Sequence, residues 1–198
     1  MELKPGQSVT IKCQDCHGTI EGIPYAEDFR LPMANLGQPW YEATRRFGAY
    51  DYHPDRCEDF NLESGGDTDL GEPLVAPFSG IVLNARDWGN RIGNIVQLLG
   101  VARTGELVVW AGWHLKDMAV SDGQVVRIGD SLGSIGNAGG QYSAHLHNQI
   151  CITNMWSIPT PNTYVGDTRY KWVQPSIFYI EHGVDPALVK RVCEWDGA

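Results

Sequence analysis

Between Leu74 and Ile152 the chain is a series of short apolar, β-branched runs cut at hairpin intervals by Gly, Asn and Asp. The runs are Leu74-Val75-Ala76-Pro77, Gly80 to Ala85, Gly93 to Leu99, Leu107 to Trp110, Gln124 to Ile128 and Leu146 to Ile152. None sustains the 3.6-residue apolar period that an amphipathic helix requires, and their length and spacing suit strands joined by tight turns. The expected fold class is therefore all-β: antiparallel sheets forming a single groove-bearing domain, with loop-rich N- and C-terminal extensions. The expected divisions are an N-terminal extension over 1–38, a central domain over 39–153 and a C-terminal extension over 154–198 packed on it. Within the first, Ser8 to Lys12 alternates as a short strand does. Within the last, Asp185 before Pro186 reads as the N-cap and first residue of a short helix ending near Cys193.

The most pointed chemistry sits in Ser143-Ala144-His145-Leu146-His147. On an extended segment, side chains two apart share a face, so His145 and His147 point the same way. Two neutral imidazoles on one face are the start of a metal site. A glycine-rich stretch from Gly129 to Gly140 precedes them, and upstream lies Tyr52-His53-Pro54-Asp55-Arg56-Cys57-Glu58-Asp59-Phe60-Asn61, read here as a polar loop. Loops on a rigid scaffold are where binding groups concentrate. His114 lies between Trp113 and Leu115, a setting that also suits a buried structural histidine. Asp67 and Asp69 fall in a turn-rich stretch and read as residues that bond their own backbone.

A net charge of -9 argues against a nucleic-acid partner, whose phosphates call for clustered Lys and Arg. No run is long and apolar enough to predict a membrane span, and no signal-peptide core is visible at Met1 to Gly6. The five cysteines leave an odd one. Cys13-x-x-Cys16-His17 has the spacing of haem attachment, but nothing else suggests a haem pocket. A local disulfide, a zinc pair completed elsewhere or two unrelated thiols remain open.

Taken in order, Arg46-Phe47-Gly48, His53, Asp59-Phe60-Asn61, Gly71-Glu72-Pro73-Leu74-Val75-Ala76, Gly80-Ile81-Val82, Gly93-Asn94-Ile95-Val96, His114-Leu115, Gly129-Asp130, Gly133-x-x-Gly136-Asn137 and His145-Leu146-His147 resemble the M23 family of zinc metallopeptidases, the lysostaphin-type peptidoglycan endopeptidases. The resemblance covers roughly Arg46 to Ile152. It implies one zinc per chain, with His53, Asp59 and His147 as ligands and a fourth position left for water. It implies His114 and His145 as the catalytic histidines, without saying which is the base. Tyr52, Asn61, Trp110 and Trp113 are the candidate substrate-binding residues. The implied substrate is a peptide of bacterial peptidoglycan, stem or cross-bridge. Action would then be outside the cytoplasm, by a secreted, periplasmic or phage-delivered protein.

Three departures from the family pattern accompany the match. His53 and Asp59 are two residues farther apart than usual, Gly112 stands where a Tyr is usual, and Asn148-Gln149 replaces Phe-Glu after the histidine pair. A loop bulging at Pro54 to Arg56, with Cys57 turned away from the metal, would absorb the extra length. The alternatives are an inactive M23-like binding or scaffold module, and a structural zinc protein in which Cys57 closes the site.

Overall fold

The computed structural model describes residues 8–13, 18–42, 57–89, 91–153, 159 and 170–193. Its architecture is all-β with two short helices near the C-terminal end. The central sheet is built from β3 (Trp40–Glu42), β4 (Glu58–Leu62), β6 (Gly80–Asp87), β7 (Asn94–Val101), β8 (Leu107–Leu115), β10 (Val125–Val126), β12 (Leu146–Thr153) and β13 (Tyr170–Val173). Their order across it is β10-β6-β7-β8-β12-β4-β3, with β13 beside β4 on the same flank of β12. All of these pairings are antiparallel. A smaller sheet orders β5 (Pro73–Val75), β11 (Ser131–Ser134) and β9 (Asp117–Met118). β1 (Ser8–Cys13) and β2 (Gly18–Pro24) pair as a hairpin.

The runs expected from Leu74 to Ile152 all appear as strands or contain one. Two segments differ. Glu58–Leu62, inside the stretch read as a polar loop, is strand β4. It lacks a strand's sequence signature because its stability comes from pairing with β12 on one side and β3 on the other. The C-terminal end carries α1 (Pro175–Glu181) ahead of the expected helix, which is α2 (Pro186–Cys193). The Asp185 carboxylate accepts from the Ala187 N–H at 2.9 Å, as an N-cap does.

The central sheet is buried on both faces. Val96, Leu98, Val108, Trp110, Leu146 and Ile150 face the main core, together with the smaller sheet and α1. The opposite face carries Leu99, Val101, Val109 and Cys151 under the β1–β2 hairpin, and Ile95, Ala111 and Trp113 nearer one end. Glu58, 1% exposed, holds the C-terminal segment to this frame. Its carboxylate accepts from the Ser176 N–H at 2.7 Å, the Ser176 hydroxyl at 2.6 Å and the Gln174 amide at 2.8 Å. A buried carboxylate is tolerable only with such a full set of donors; here one is a free N–H of α1's first turn and the others are the side chains of Ser176 and Gln174.

Candidate metal and catalytic site

The site is assembled where β12, β8 and β4 lie side by side. His147 is directly opposite Trp113 on one side and Asp59 on the other, so all three share a face. The Trp113 indole stacks on the His147 ring, with centroids 4.2 Å apart at 19°. Nδ1 of His147 is 3.3 Å from Oδ1 of Asp59, and Nε2 of His145 is 3.7 Å from Oδ2 of the same carboxylate. Asp59 therefore stands between the two histidines. Cys57 is two residues before Asp59 and fully buried, with Sγ 3.7 Å from Oδ1. Cys57, Asp59 and His147 present ligand atoms that all lie within 4.8 Å of one another. The expected orientation of Cys57, away from the metal, is thus corrected. On extended backbone, positions 57 and 59 share a face.

His114 reaches the cluster through an irregularity in β8. Between Asn94–Leu115 and Val96–Gly112 the register takes up one extra residue on β8, and His114 has φ 67°. Left-handed backbone is rare outside glycine, though His is among the residues that adopt it more often. The Asn94 amide steadies the bulge by donating to the Leu115 carbonyl at 3.0 Å. The backbone N–H of His114 donates to the Ile92 carbonyl at 3.2 Å. Its Nδ1 lies 2.9 Å from that same oxygen. A carbonyl can only accept, so Nδ1 carries the proton and Nε2 keeps its lone pair. The same reasoning applies to His145, whose Nδ1 donates to the Ser143 carbonyl at 2.8 Å. The His114 ring is 4.8 Å from that of His145 and 5.6 Å from that of His147. Burial, reinforced by His147 and His145, lowers the pKa of His114 to about 3 and keeps it neutral.

Several further residues hold this arrangement, in roles the sequence did not show. The peptide group of Ala144 is gripped on both sides: its N–H donates to Asp67 at 2.7 Å and its carbonyl accepts from Asn61 at 3.1 Å. Asp67 stands in a turn, as expected, but its carboxylate bonds the residue before His145 across the fold rather than its own backbone. Asp69 is buried, and that burial raises its carboxyl pKa to about 6, with His145 pulling the other way. Tyr142 packs its ring 5.0 Å from His114 and 5.9 Å from His145. A Cβ at Gly136 would lie 2.1 Å from the His114 carbonyl oxygen, while the Gly136 carbonyl accepts from the His145 N–H at 3.2 Å. Only glycine lets this segment approach the end of β8 so closely. Sequence periodicity carries no trace of such cross-chain contacts.

Of the expected site residues, Asp59, His114, His145 and His147 converge here, with Asn61 and Trp113 beside them. Tyr52 and His53 lie outside the described residues, as do Arg46-Phe47-Gly48 and Cys16-His17. Trp110 is turned to the core: it is fully buried, donates to the Asn148 side chain at 2.6 Å and packs its ring over Gly112. It offers a ligand no surface. A cavity of about 550 Å³ between β2 and residues 125–128 is lined by none of the cluster residues.

Residues 65–158 match the family model described as peptidase family M23. Over these residues, just under half of the chain, it is similar to family M23. The matched span contains His114, His145 and His147, and Asp59 lies just upstream of it. Comparison with curated protein sequences finds no match. Among solved structures, this chain is similar to the antimicrobial peptidase lysostaphin from Staphylococcus simulans, with 22% identity over 79% of this chain and 55% of that one, at a TM-score of 0.56. It is also similar to a candidate M23 peptidase from Pseudomonas aeruginosa, with 22% identity over 80% of this chain and 53% of that one, at a TM-score of 0.52. The chain spans about half the length of these two proteins. At such identity the likeness is one of fold.

Proposed function

We propose that the protein is a zinc-dependent endopeptidase that hydrolyses peptide bonds in the stems or cross-bridges of bacterial peptidoglycan. The observation that carries this reading is the convergence of Asp59, His145 and His147, with His114 beside them, at one buried point of an M23 domain. Asp59 and His147 supply an oxygen and a nitrogen to one zinc per chain. Their separation of 3.3 Å fits, because bonds of about 2.0–2.1 Å at a tetrahedral angle put neighbouring ligand atoms about 3.3 Å apart. A third protein ligand comes from the segment ahead of β4, where the family resemblance points to His53. Zinc, when bound, supplies Lewis acidity for the attacking water and the scissile carbonyl.

The chain's own groups do the rest. His114 and His145 each keep Nδ1–H on a backbone carbonyl, which orients both rings and leaves both Nε2 atoms able to take a proton. Burial favours neutral His114, so a proton it accepts is readily passed on to the leaving amine. Trp113 keeps the His147 ring in place, and Asn61 fixes the backbone ahead of His145. Residues 39–153 form the peptidase domain in this reading, with 1–38 and 154–198 as extensions. Among the described residues no helix is long and apolar enough to cross a membrane. The site of action is outside the cytoplasm, where the peptidoglycan substrate is.

A second reading is favoured by one observation, the thiol of Cys57 at the same cluster. Were both His53 and Cys57 to bind, four protein ligands would close the site as structural zinc sites are closed. The deciding experiment incubates purified peptidoglycan with the protein, with and without a chelator, and identifies new peptide termini by mass spectrometry. Chelator-sensitive new termini are expected. Their absence with zinc-loaded protein would overturn the enzyme in favour of a structural or scaffold module.

A further inference from the structure

We propose that Cys57 is itself a metal ligand, completing with Asp59 and His147 a sulfur, oxygen and nitrogen set for one zinc-class divalent cation. It would take the third protein position that the family resemblance gives to His53. This rests on the metal-dependent reading above and changes which side chain holds the ion.

Three observations carry it. The first is placement: Cys57 and Asp59 are two apart at the entry to β4 and so share a face, and His147 lies opposite Asp59 across the β12–β4 pair. All three are buried, and their ligand atoms fall within 4.8 Å of one another. The second is metric. With zinc–sulfur and zinc–oxygen bonds of about 2.3 and 2.0 Å, a tetrahedral site puts sulfur and oxygen about 3.5 Å apart. Cys57 Sγ and Asp59 Oδ1 are 3.7 Å apart, and the His147 Nδ1 to Asp59 Oδ1 edge is 3.3 Å. Two of the three edges that join these ligands are thus near tetrahedral length in the protein chain, and the third lies within 4.8 Å. The third is charge. A thiolate and a carboxylate together neutralise a divalent cation, whereas a set of two imidazoles and one carboxylate leaves a net positive charge. For residues as buried as Cys57, Asp59 and His147, the neutral combination costs less to keep from water.

Cys151 shows what a purely structural thiol looks like in this fold. It lies on the same strand as His147, but its neighbours are Leu99, Val109 and Tyr170, and burial pushes its thiol up to about 12. Among the described residues, Cys151 belongs to no group of three or more His, Cys, Asp or Glu side chains close enough to share a metal ion. Three protein ligands, moreover, are the number found in catalytic zinc sites, so a thiolate in third place is compatible with hydrolysis.

The test is the electronic spectrum of the full chain saturated with cobalt(II), in which a thiolate ligand gives a near-ultraviolet sulfur-to-cobalt charge-transfer band. That band is expected in the wild-type chain and in His53→Ala, and it should vanish in Cys57→Ser at equal bound cobalt. Because Cys57→Ser could fold poorly, a second chain carries Cys13→Ser, Cys16→Ser, Cys151→Ala and Cys193→Ser together. It leaves Cys57 as its one thiol and should still show the band. A band that persists in Cys57→Ser, or cobalt bound without a band in the single-thiol chain, would overturn the assignment. Peptidoglycan cleavage is read separately. Cleavage without the band removes Cys57 and leaves the hydrolase; the band without cleavage does the reverse.

Discussion

His147 and Asp59 face each other as direct partners of the β12–β4 pair, with Nδ1 3.3 Å from Oδ1. Two strands more than eighty residues apart in the chain are thus fixed in register by backbone hydrogen bonds, and the two donor atoms come with them. This pairing is the frame on which the other site residues depend.

Removing either of these side chains should release the metal. His147→Ala and Asp59→Ala are each expected to weaken zinc binding by well over 100-fold, beyond the roughly 10–100-fold cost of losing an outer partner. Metal analysis after dialysis against a weak chelator measures it. Undiminished zinc in either variant would remove that residue from the ligand set.

His114 and His145 should behave differently. Each hydrogen-bonds a backbone carbonyl through Nδ1 and leaves Nε2 for proton transfer. His114→Ala and His145→Ala are expected to retain zinc while losing about 10²–10⁴-fold in peptidoglycan hydrolysis. Loss of metal in either variant would make it a ligand instead.

Gly136 links the two histidines mechanically. A methyl group there would meet the His114 carbonyl oxygen at 2.1 Å and the Lys116 nitrogen at 2.4 Å, both backbone atoms that cannot swing aside. Gly136→Ala should therefore destabilise the fold by about 1–3 kcal/mol or more, as overpacking does. It should also lower activity by displacing His114. A thermal melt matching wild type would show that the Gly136 segment can move away from β8 at little cost.

The neutral state of His114 predicts a pH dependence in the metal-free protein. Its pKa is lowered from 6.5 to about 3, so between those values the unfolded chain binds a proton that the folded chain does not. Stability must then fall as pH falls through that window, approaching a slope of about 1.4 kcal/mol per pH unit for one proton. His114→Gln should remove this contribution. Denaturant unfolding of both proteins from mildly alkaline to acidic pH measures it, and identical slopes would show that His114 titrates normally in the fold.

The sequence by itself determined the strand content of Leu74 to Ile152, the helix begun by Asp185 and Pro186, and the histidine pair of the site. Those features are local: alternation, turn chemistry, a cap and a two-residue spacing act within a few residues of the chain. The tertiary structure alone decided that the polar stretch before Leu62 contains a strand, because β4 gains its hydrogen bonds from β12 and β3 rather than from any propensity of Glu58 or Asp59. It alone turned Trp110 into the core and Trp113 onto His147, a choice set by the pairing register and by the bulge that puts His114 at φ 67°. It alone brought Asp67, Asn61 and Gly136 to the backbone around His145, and Cys57 and Asp59 together to His147. Contacts between residues so distant in sequence depend on the whole chain's packing, and no local pattern encodes them.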